Sequence, residues 1–381
     1  MPGFELINHK EKKAVNEVFK NGSVFFRHGF DNLRKNKYFV QSFENKFSKY
    51  IGVKYALGVT SGTAALRVAL AALDLKKGDE VITQSFTFVA TIEAIVESGA
   101  TPVIVNVDEN LDIDTRDLIK KITKKTKCII PVHMLGNPAN MSKINSIAKK
   151  NKLFILEDVA WGLGGSYNKK KLGSIGDMGA FSFDHAKAMT TGEGGMITFK
   201  NFKLYSKAKA WHDHGHENNP KLPRWEDSRK SSGFNFRMNE IQAAIGMEQL
   251  KKLNKLINFQ NKKKSKLENI IKKFNFKART KYKNCIETSD SFIFFTRTSK
   301  EAIKLKAHLE NHQISTKILP EAIKWHFAGE FSHIKEIKKI KYIKSILKNS
   351  KHNLSKAISL PIMVKDKNIE NKLYNALKVF V

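Results

Sequence analysis

The sequence lacks the features typical of secreted and membrane proteins. Only two of its 381 residues are cysteine, and Cys128 and Cys285 match no metal or disulfide spacing. We therefore expect free thiols in a reducing compartment. No apolar run approaches the roughly 20 residues that cross a bilayer. Residues 1–6 lack a basic segment followed by an apolar one, so we expect no secretory signal. These absences predict a cytoplasmic protein without membrane contact.

Acidic side chains are also scarce. The chain has 36 Asp and Glu against 68 Lys and Arg, which gives a net charge of +32. Such a surplus can indicate a nucleic-acid footprint. The lysines, however, are spread along the whole chain in short runs such as 169–171 and 262–264, and no zinc-finger spacing or basic tail accompanies them. We favour a solvated basic surface that steers anionic substrates, and we predict no nucleic-acid partner.

The chain has no internal repeat and no low-complexity linker. From about residue 56, short apolar segments alternate with helix-forming ones, which predicts a mostly parallel sheet with helices on both faces. The predicted strands are 56–59, 80–83, 101–105, 128–132, 153–156, 176–183 and 196–199. A helix is expected to start near Met238 and to run past Leu253. The lysine-rich remainder, with a strand at 292–295, a helix at 300–310 and a final helix after Lys367, predicts a smaller α+β domain.

These patterns predict two domains. Residues 1–250 form the large domain and residues 251–381 the small one. The segment 1–50 is a candidate for packing on the small domain.

Residues 156–195 contain the side chains that pyridoxal phosphate requires: an amine, an acid for the ring nitrogen and donors for the phosphate. Lys187 is the candidate amine, because it lies between Ala186 and Ala188 and outside any charged run. An isolated lysine in so basic a chain is normally a surface residue. The glycine-rich turn at 190–195 favours a functional lysine here, because glycine lets backbone pass close to a ligand.

The other two anchors, for the ring nitrogen and the phosphate, are expected at Asp158 and at residues 61–63. Asp158 ends a predicted strand, the edge at which ligands bind in α/β sheets, and a carboxylate there can pair with the pyridinium nitrogen; the alternative is a helix cap. Ser61, Gly62 and Thr63 precede a helix whose N-terminus can bind phosphate, or they only cap it. Ser182 could add a hydroxyl to the phosphate site. Phe88 offers a flat face for the cofactor ring, although a single phenylalanine is more often a core residue.

Seven motifs occur in a fixed order along the chain. They span residues 60–66, 87–91, 157–158, 173–177, 181–187, 190–195 and 233–238. Together they resemble the DegT/DnrJ/EryC1/StrS family of sugar aminotransferases. The resemblance is dense from about residue 56 to residue 252 and thinner on both sides.

The resemblance implies a fold-type-I, aspartate-aminotransferase-like enzyme with a seven-stranded sheet, working as a homodimer with shared active sites. It implies that Lys187 bonds to the cofactor, Asp158 pairs with the ring nitrogen and Phe88 contacts the ring. The implied phosphate contacts are Gly62, Thr63 and Ser182, and Asn235 is expected to reach the phosphate of the neighbouring subunit's cofactor. His133 matches a family position on the floor of the site.

Two departures from the family pattern affect the site. Trp161 stands where a glutamine or histidine is usual near the cofactor, so it is expected to stack or to donate its N–H. His212-Asp213-His214-Gly215 replaces an Arg-x-His-Gly sequence. The spacing of these histidines does not suit a metal site, so none is predicted. We expect His212 and His214, with His133 and Arg237, to contact substrate.

The predicted reaction is ping-pong transamination. Glutamate or glutamine gives its amino group to the cofactor, and a keto-sugar then accepts it, for lipopolysaccharide, O-antigen or related glycan biosynthesis. One alternative is a dehydratase of the same family, although those members have histidine in place of the lysine. Another is a non-catalytic basic protein that binds nucleic acid or an acidic polymer. Residues 1–6 and 213–216 also resemble the branch that aminates carbon 8 of a 3-deoxy-octulosonate.

Overall fold

The structure is a computed structural model that describes residues 3–219, 221–321 and 323–380. Its strands are β1 (Tyr55–Val59), β2 (Glu80–Gln84), β3 (Thr101–Val105), β4 (Thr126–Ile130), β5 (Phe154–Asp158), β6 (Ser166–Tyr167), β7 (Lys170–Lys171), β8 (Met178–Ser182), β9 (Gly195–Phe199), β10 (Lys277–Ala278), β11 (Cys285–Ile286), β12 (Ser291–Phe295) and β13 (Ala357–Pro361).

The helices are α1 (His9–Lys20), α2 (Phe39–Ile51), α3 (Gly62–Ala71), α4 (Val89–Glu97), α5 (Thr115–Lys121), α6 (Met141–Asn151), α7 (Phe202–Trp211), α8 (Glu240–Lys272), α9 (Ser299–Asn311), α10 (Ile323–His326), α11 (Lys335–Lys338), α12 (Ile343–Ile346), α13 (Lys348–Ser355) and α14 (Ile369–Phe380). Among the described residues, no helix combines the length and the apolar character needed to cross a membrane.

The central sheet has seven strands in the order β1-β9-β8-β5-β4-β2-β3. Neighbours from β8 to β3 run parallel, and β9 is antiparallel to both β8 and β1. Every residue of β8 and β9 is buried, because helices cover both faces of the sheet. The predicted mostly parallel, seven-stranded sheet is confirmed.

The two faces of the sheet have separate apolar cores. On one face, α3 and α7 pack through small and aliphatic side chains such as Ala65, Val68 and Ala208. On the other face, α2, α6 and α8 contribute larger side chains, among them Phe43 and Phe47. The carboxyl ends of the parallel strands are left accessible at one edge, which is where α/β sheets bind ligands.

Helix α8 connects the sheet to the C-terminal part of the chain. Asn239 caps it, accepting from the N–H of Gln242 at 2.9 Å, while the Gln242 side chain accepts from the Asn239 N–H. The helix then runs 33 residues without interruption. The boundary predicted at residue 250 falls inside this helix, and the division into domains stays a prediction.

The C-terminal part contains a three-stranded antiparallel sheet, β10-β12-β13. Helices α9 and α14 pack on it together with the end of α8, and Phe292, Leu305 and Leu373 are fully buried between them. This arrangement confirms the α+β character predicted for the region. Helices α10 to α13, which the sequence did not predict, bring Phe327, Phe331 and Leu354 into an apolar cluster near the large sheet.

The N-terminal segment contacts both parts of the molecule. Helices α1 and α2 pack on α8, and α2 also packs on β1. The Glu5 carboxylate accepts from the N–H groups of Val364 and Lys365 at 2.8 and 3.0 Å. Met1 and Pro2, which belong to the opening that resembles the octulosonate branch, lie outside the described residues.

Candidate functional site

A cavity of about 430 Å³ lies at the carboxyl ends of the parallel strands. Its wall includes the ends of β5 and β8 and the residues that follow β2 and β4. Eight of the nine predicted cofactor-binding residues line it: Ser61, Gly62, Thr63, Phe88, Asp158, Trp161, Ser182 and Lys187. The fold thus gathers these residues into one place, as the sequence motifs predicted.

Lys187 lies in the loop between β8 and β9 and points its amine over Trp161. The Nζ atom is 3.6 Å from the centroid of the indole ring. Burial lowers the pKa of Lys187 to about 8; Asp290 and Asp184 oppose this shift, and Lys317 adds to it. The neutral form of the amine is therefore accessible at mildly alkaline pH, as a nucleophilic lysine requires.

Asp158 ends β5 and is 4 % exposed. Its carboxylate accepts from the Thr91 hydroxyl at 2.8 Å and from the Ala160 N–H at 3.1 Å. Burial raises the pKa of Asp158, whereas these two donors and Lys187 favour the ionised form. A cationic ring nitrogen placed beside this carboxylate would favour ionisation further.

The start of α3 and the end of β8 form a cradle for an anion. Ser61 caps α3 by accepting from the Ala64 N–H at 3.0 Å, and helix geometry leaves the N–H groups of Gly62 and Thr63 without intrahelical acceptors. A Cβ atom at Gly62 would lie 2.7 Å from Ser182 Cβ. Only glycine therefore permits this approach, and the Ser182 hydroxyl stands next to the helix N-terminus.

These contacts test whether pyridoxal phosphate suits the cavity. The cavity offers an amine of lowered pKa, a buried carboxylate and a phosphate cradle that any larger residue at position 62 would obstruct. Phe88, which is 42 % exposed, adds a flat ring to the wall. The residues present fit the cofactor.

His133 lies behind the cavity wall and is fully buried. Its Nδ1 accepts from the Ala139 N–H at 3.0 Å, and Nε2 is 3.0 Å from Glu157, so Nε2 carries the proton and donates. The Glu157 carboxylate also accepts from three N–H groups in the loop 173–176. The structure gives the His133 ring a supporting role, and its predicted substrate contact stays a prediction.

The segment after α7 holds the other predicted substrate-binding residues, away from this chain's cavity. His212 is fully buried between Arg27, at 3.1 Å, and the Lys209 carbonyl, and burial lowers the pKa of His212 well below its usual value. His214 is exposed. Arg237 pairs with Asp213 and lies 5.0 Å from the Phe26 ring. None of the three lines the described cavity.

Asn235, the ninth predicted cofactor residue, is exposed on the same segment. Its side-chain oxygen accepts from the Arg237 N–H at 3.3 Å, and its neighbour Phe234 is 58 % exposed. It does not reach the cavity of its own chain. The predicted contact with a neighbouring subunit's cofactor stays a prediction.

Several residues of the cavity wall were not predicted as site residues from the sequence, among them Thr91, Lys317 and His326. The Thr91 hydroxyl donates to the Asp158 carboxylate. Because Thr91 belongs to the motif 87–91, the sequence could have indicated it as a site residue. Lys317 and His326 come from the region between α9 and α11. Nothing local distinguishes Lys317 among 68 basic residues, and the His326 ring is placed 5.7 Å from the Phe88 ring only by the packing of α10.

Comparison with known proteins identifies the family. The model of the DegT/DnrJ/EryC1/StrS aminotransferase family matches residues 7–371. The chain belongs to this family. GDP-perosamine synthase from Escherichia coli O157:H7 is 36 % identical over 312 residues, 81 % of each chain. Seven further relatives are 34–42 % identical, and the matches cover 51–65 % of their lengths.

Solved structures agree with this assignment. The aminotransferase from Psychrobacter cryohalolentis has a TM-score of 0.86 at 26 % identity, covering 98 % of this chain and 97 % of its own. Helicobacter pylori PseC, an aminotransferase of pseudaminic acid biosynthesis, has a TM-score of 0.82 at 26 % identity over 98 % of both chains. Other structures of this fold exist in PLP and PMP forms.

Family membership confirms the predicted enzyme class. The protein is a sugar aminotransferase that depends on pyridoxal phosphate, with the fold-type-I architecture. The cavity described above is its candidate active site.

Proposed function

We propose that this aminotransferase moves an amino group from glutamate or glutamine to a keto-sugar for lipopolysaccharide, O-antigen or related glycan biosynthesis. The observation that carries the proposal is the meeting of Lys187, Asp158 and the Gly62–Ser182 cradle in one cavity. Bound pyridoxal phosphate supplies an electron sink for negative charge on the substrate carbon.

Lys187 is the proposed catalytic base. Its Nζ atom stands over the indole of Trp161 in the cavity, and the pKa of about 8 lets the amine both accept and return a proton near neutral pH. Asp158 holds its carboxylate at the end of β5, where Thr91 and Ala160 fix the direction of both oxygens. The Trp161 indole covers one side of the amine, which limits the water that reaches Lys187.

The relatives support a nucleotide-linked keto-sugar as acceptor. They include two further GDP-perosamine synthases and a UDP-N-acetyl-3-dehydro-alpha-D-glucosamine 3-aminotransferase. Such substrates carry a diphosphate, which the net charge of +32 would attract. These relatives favour a nucleotide sugar over the free 3-deoxy-octulosonate.

The proposal includes a cytoplasmic homodimer with shared active sites. The exposure of Asn235 and Phe234 on one segment, outside the cavity of their own chain, supports a role at a subunit interface. Trp225 lies in the same segment between α7 and α8 and is 84 % exposed, which is unusual for tryptophan.

The test is direct. The purified protein, treated with borohydride, should carry a reduced cofactor adduct on Lys187. Its visible absorbance should bleach when L-glutamate or L-glutamine is added, and a panel of nucleotide-linked keto-sugars should then restore it, with a product that gains one amino group. Absence of the adduct would refute the assignment of Lys187.

Two alternatives have distinct outcomes in the same experiment. A dehydratase would give a product that has lost water and gained no nitrogen. A basic binding protein would show no bleaching and would bind DNA in a strongly salt-dependent manner. Either result would replace the proposed reaction.

A further inference from the structure

The active-site cavity contains a second buried lysine that the reaction above does not use. Lys317 lies between α9 and α10, and its side chain is 8 % exposed. Its backbone N–H donates to the Ser359 carbonyl of β13 at 2.7 Å, which anchors the residue to the small sheet. The side chain extends from that sheet into the cavity wall.

The ammonium group of Lys317 has spare hydrogen-bonding capacity. It donates to Asp290 Oδ2 at 2.7 Å, and Asp290 is almost fully buried. An ammonium has three N–H donors, and among the described side chains and backbone groups Asp290 is its one acceptor. Burial lowers the pKa of Lys317, and Asp290 opposes this shift. The 2.7 Å contact with the Asp290 carboxylate holds the amine of Lys317 at the cavity wall.

Lys317 and Lys187 lie close to the same ring. Their Nζ atoms are 4.8 and 3.6 Å from the centroid of the Trp161 indole. Both residues also line the same cavity. A molecule whose reacting atom is next to Lys187 can therefore direct a neighbouring substituent toward Lys317.

The closeness of the two lysines favours one kind of anionic group in a bound substrate. An α-amino acid carries its carboxylate on the same carbon as the reacting nitrogen. When that carbon lies beside Lys187, the carboxylate is close enough for a neighbouring amine such as Lys317 to bind it. The diphosphate of a nucleotide sugar lies on the far side of the sugar ring from most amination positions. The geometry favours the carboxylate.

We propose that Lys317 binds the α-carboxylate of the amino donor and that Asp290 is the positioning residue that holds the ammonium there. The three donors of Lys317 allow it to bridge Asp290 and the donor carboxylate. The inference rests on the proposed function, because it assumes an amino-acid donor.

The test compares Lys317→Met and the double variant Lys317→Met/Asp290→Asn, as holoenzymes, with wild type. The double variant is needed because a single replacement leaves Asp290 buried without its cation, which can destabilise the fold. Lys264→Met/Glu287→Gln is a matched control: that ion pair is equally buried, with side chains 8 and 5 % exposed, and lies outside the active-site cavity.

Two measurements report on the donor. Calorimetry follows the equilibrium binding of glutarate, the glutamate skeleton without its amine, and stopped-flow absorbance gives the apparent Kd and limiting rate of the half-reaction with L-glutamate. Loss of a hydrogen bond to a charged group should weaken both affinities roughly 10- to 100-fold. The limiting rate should change much less, and the control pair should leave both affinities unchanged.

The outcomes separate this inference from the proposed function. Unchanged glutarate affinity in the double variant would overturn the role of Lys317. So would a defect confined to the keto-sugar half-reaction, which would place the bound anion on the acceptor. Failure of the wild type to aminate any keto-sugar would refute the proposed function, while the glutarate titration would still decide the role of Lys317.

Discussion

The pKa of Lys187 gives the clearest prediction for a single residue. Burial disfavours its ammonium form, so in cofactor-free protein the neutral amine should dominate above about pH 8, whereas an ordinary lysine titrates near 10.4. Labelling with acetic anhydride across a pH series, read by peptide mass spectrometry, should give a midpoint near 8 at Lys187. The exposed Lys262 provides the reference. A labelling rate at Lys187 that keeps rising to pH 10 would contradict the predicted burial effect.

At the residue scale, the sequence located cavity residues where a motif marks them. Lys187, Asp158, Ser182 and Gly62 were found because neighbouring residues mark them, and all four line the cavity. The sequence did not indicate which polar side chains are buried and already hydrogen-bonded. One ring nitrogen of His133 contacts Glu157 and one of His212 contacts Arg27, partners that lie 24 and 185 residues away in sequence.

At the scale of elements, the approach of α3 to β8 determines the phosphate cradle. Gly62→Ala would place a methyl group 2.7 Å from Ser182 Cβ and force the two elements apart. Overpacking of this size costs about 1–3 kcal/mol, so cofactor affinity should fall roughly 10-fold or more. Equilibrium titration of the apoenzyme with pyridoxal phosphate measures this change.

A second variant tests the reason for that loss. Thr63→Ala removes a hydroxyl but keeps the N–H groups at the start of α3, so it should weaken cofactor binding much less than Gly62→Ala. Equal losses in the two variants would show that the threonine hydroxyl, rather than the close approach of helix and strand, dominates phosphate binding.

The elements themselves were largely predictable. The alternation of apolar strands and helices predicted the mostly parallel sheet, and the family resemblance implied its seven strands. The Asn239–Gln242 capping pair marks the start of α8. Helices α10, α11 and α12 were missed because each spans only four residues. So short a helix has no readable periodicity and is stabilised by tertiary packing.

For the whole molecule, the proposal of shared active sites makes a quantitative prediction. Lys187→Ala and Asn235→Asp should each be inactive as homodimers, the second because a carboxylate would repel the cofactor phosphate. If Asn235 serves the neighbouring site, each mixed dimer regains one complete site, so a mixture exchanged at equal ratio should recover about a quarter of wild-type activity. Activity after mixing and subunit exchange measures this recovery. No recovery, in a mixture shown to contain mixed dimers, would place Asn235 in the site of its own chain.

The sequence alone determined the family, the cofactor and the sheet, because local periodicity and ordered motifs encode strands, turns and the candidate residues for binding pyridoxal phosphate. Only the tertiary structure decided what else surrounds Lys187. Lys317, Asp290 and His326 lie more than 100 residues after Lys187, and they enter or border the cavity because the small sheet and α10 pack against its mouth. Contacts between distant segments depend on how apolar faces pack together, and local sequence patterns do not encode this packing. Among 68 basic residues, no local pattern therefore distinguishes Lys317 as a residue of the cavity.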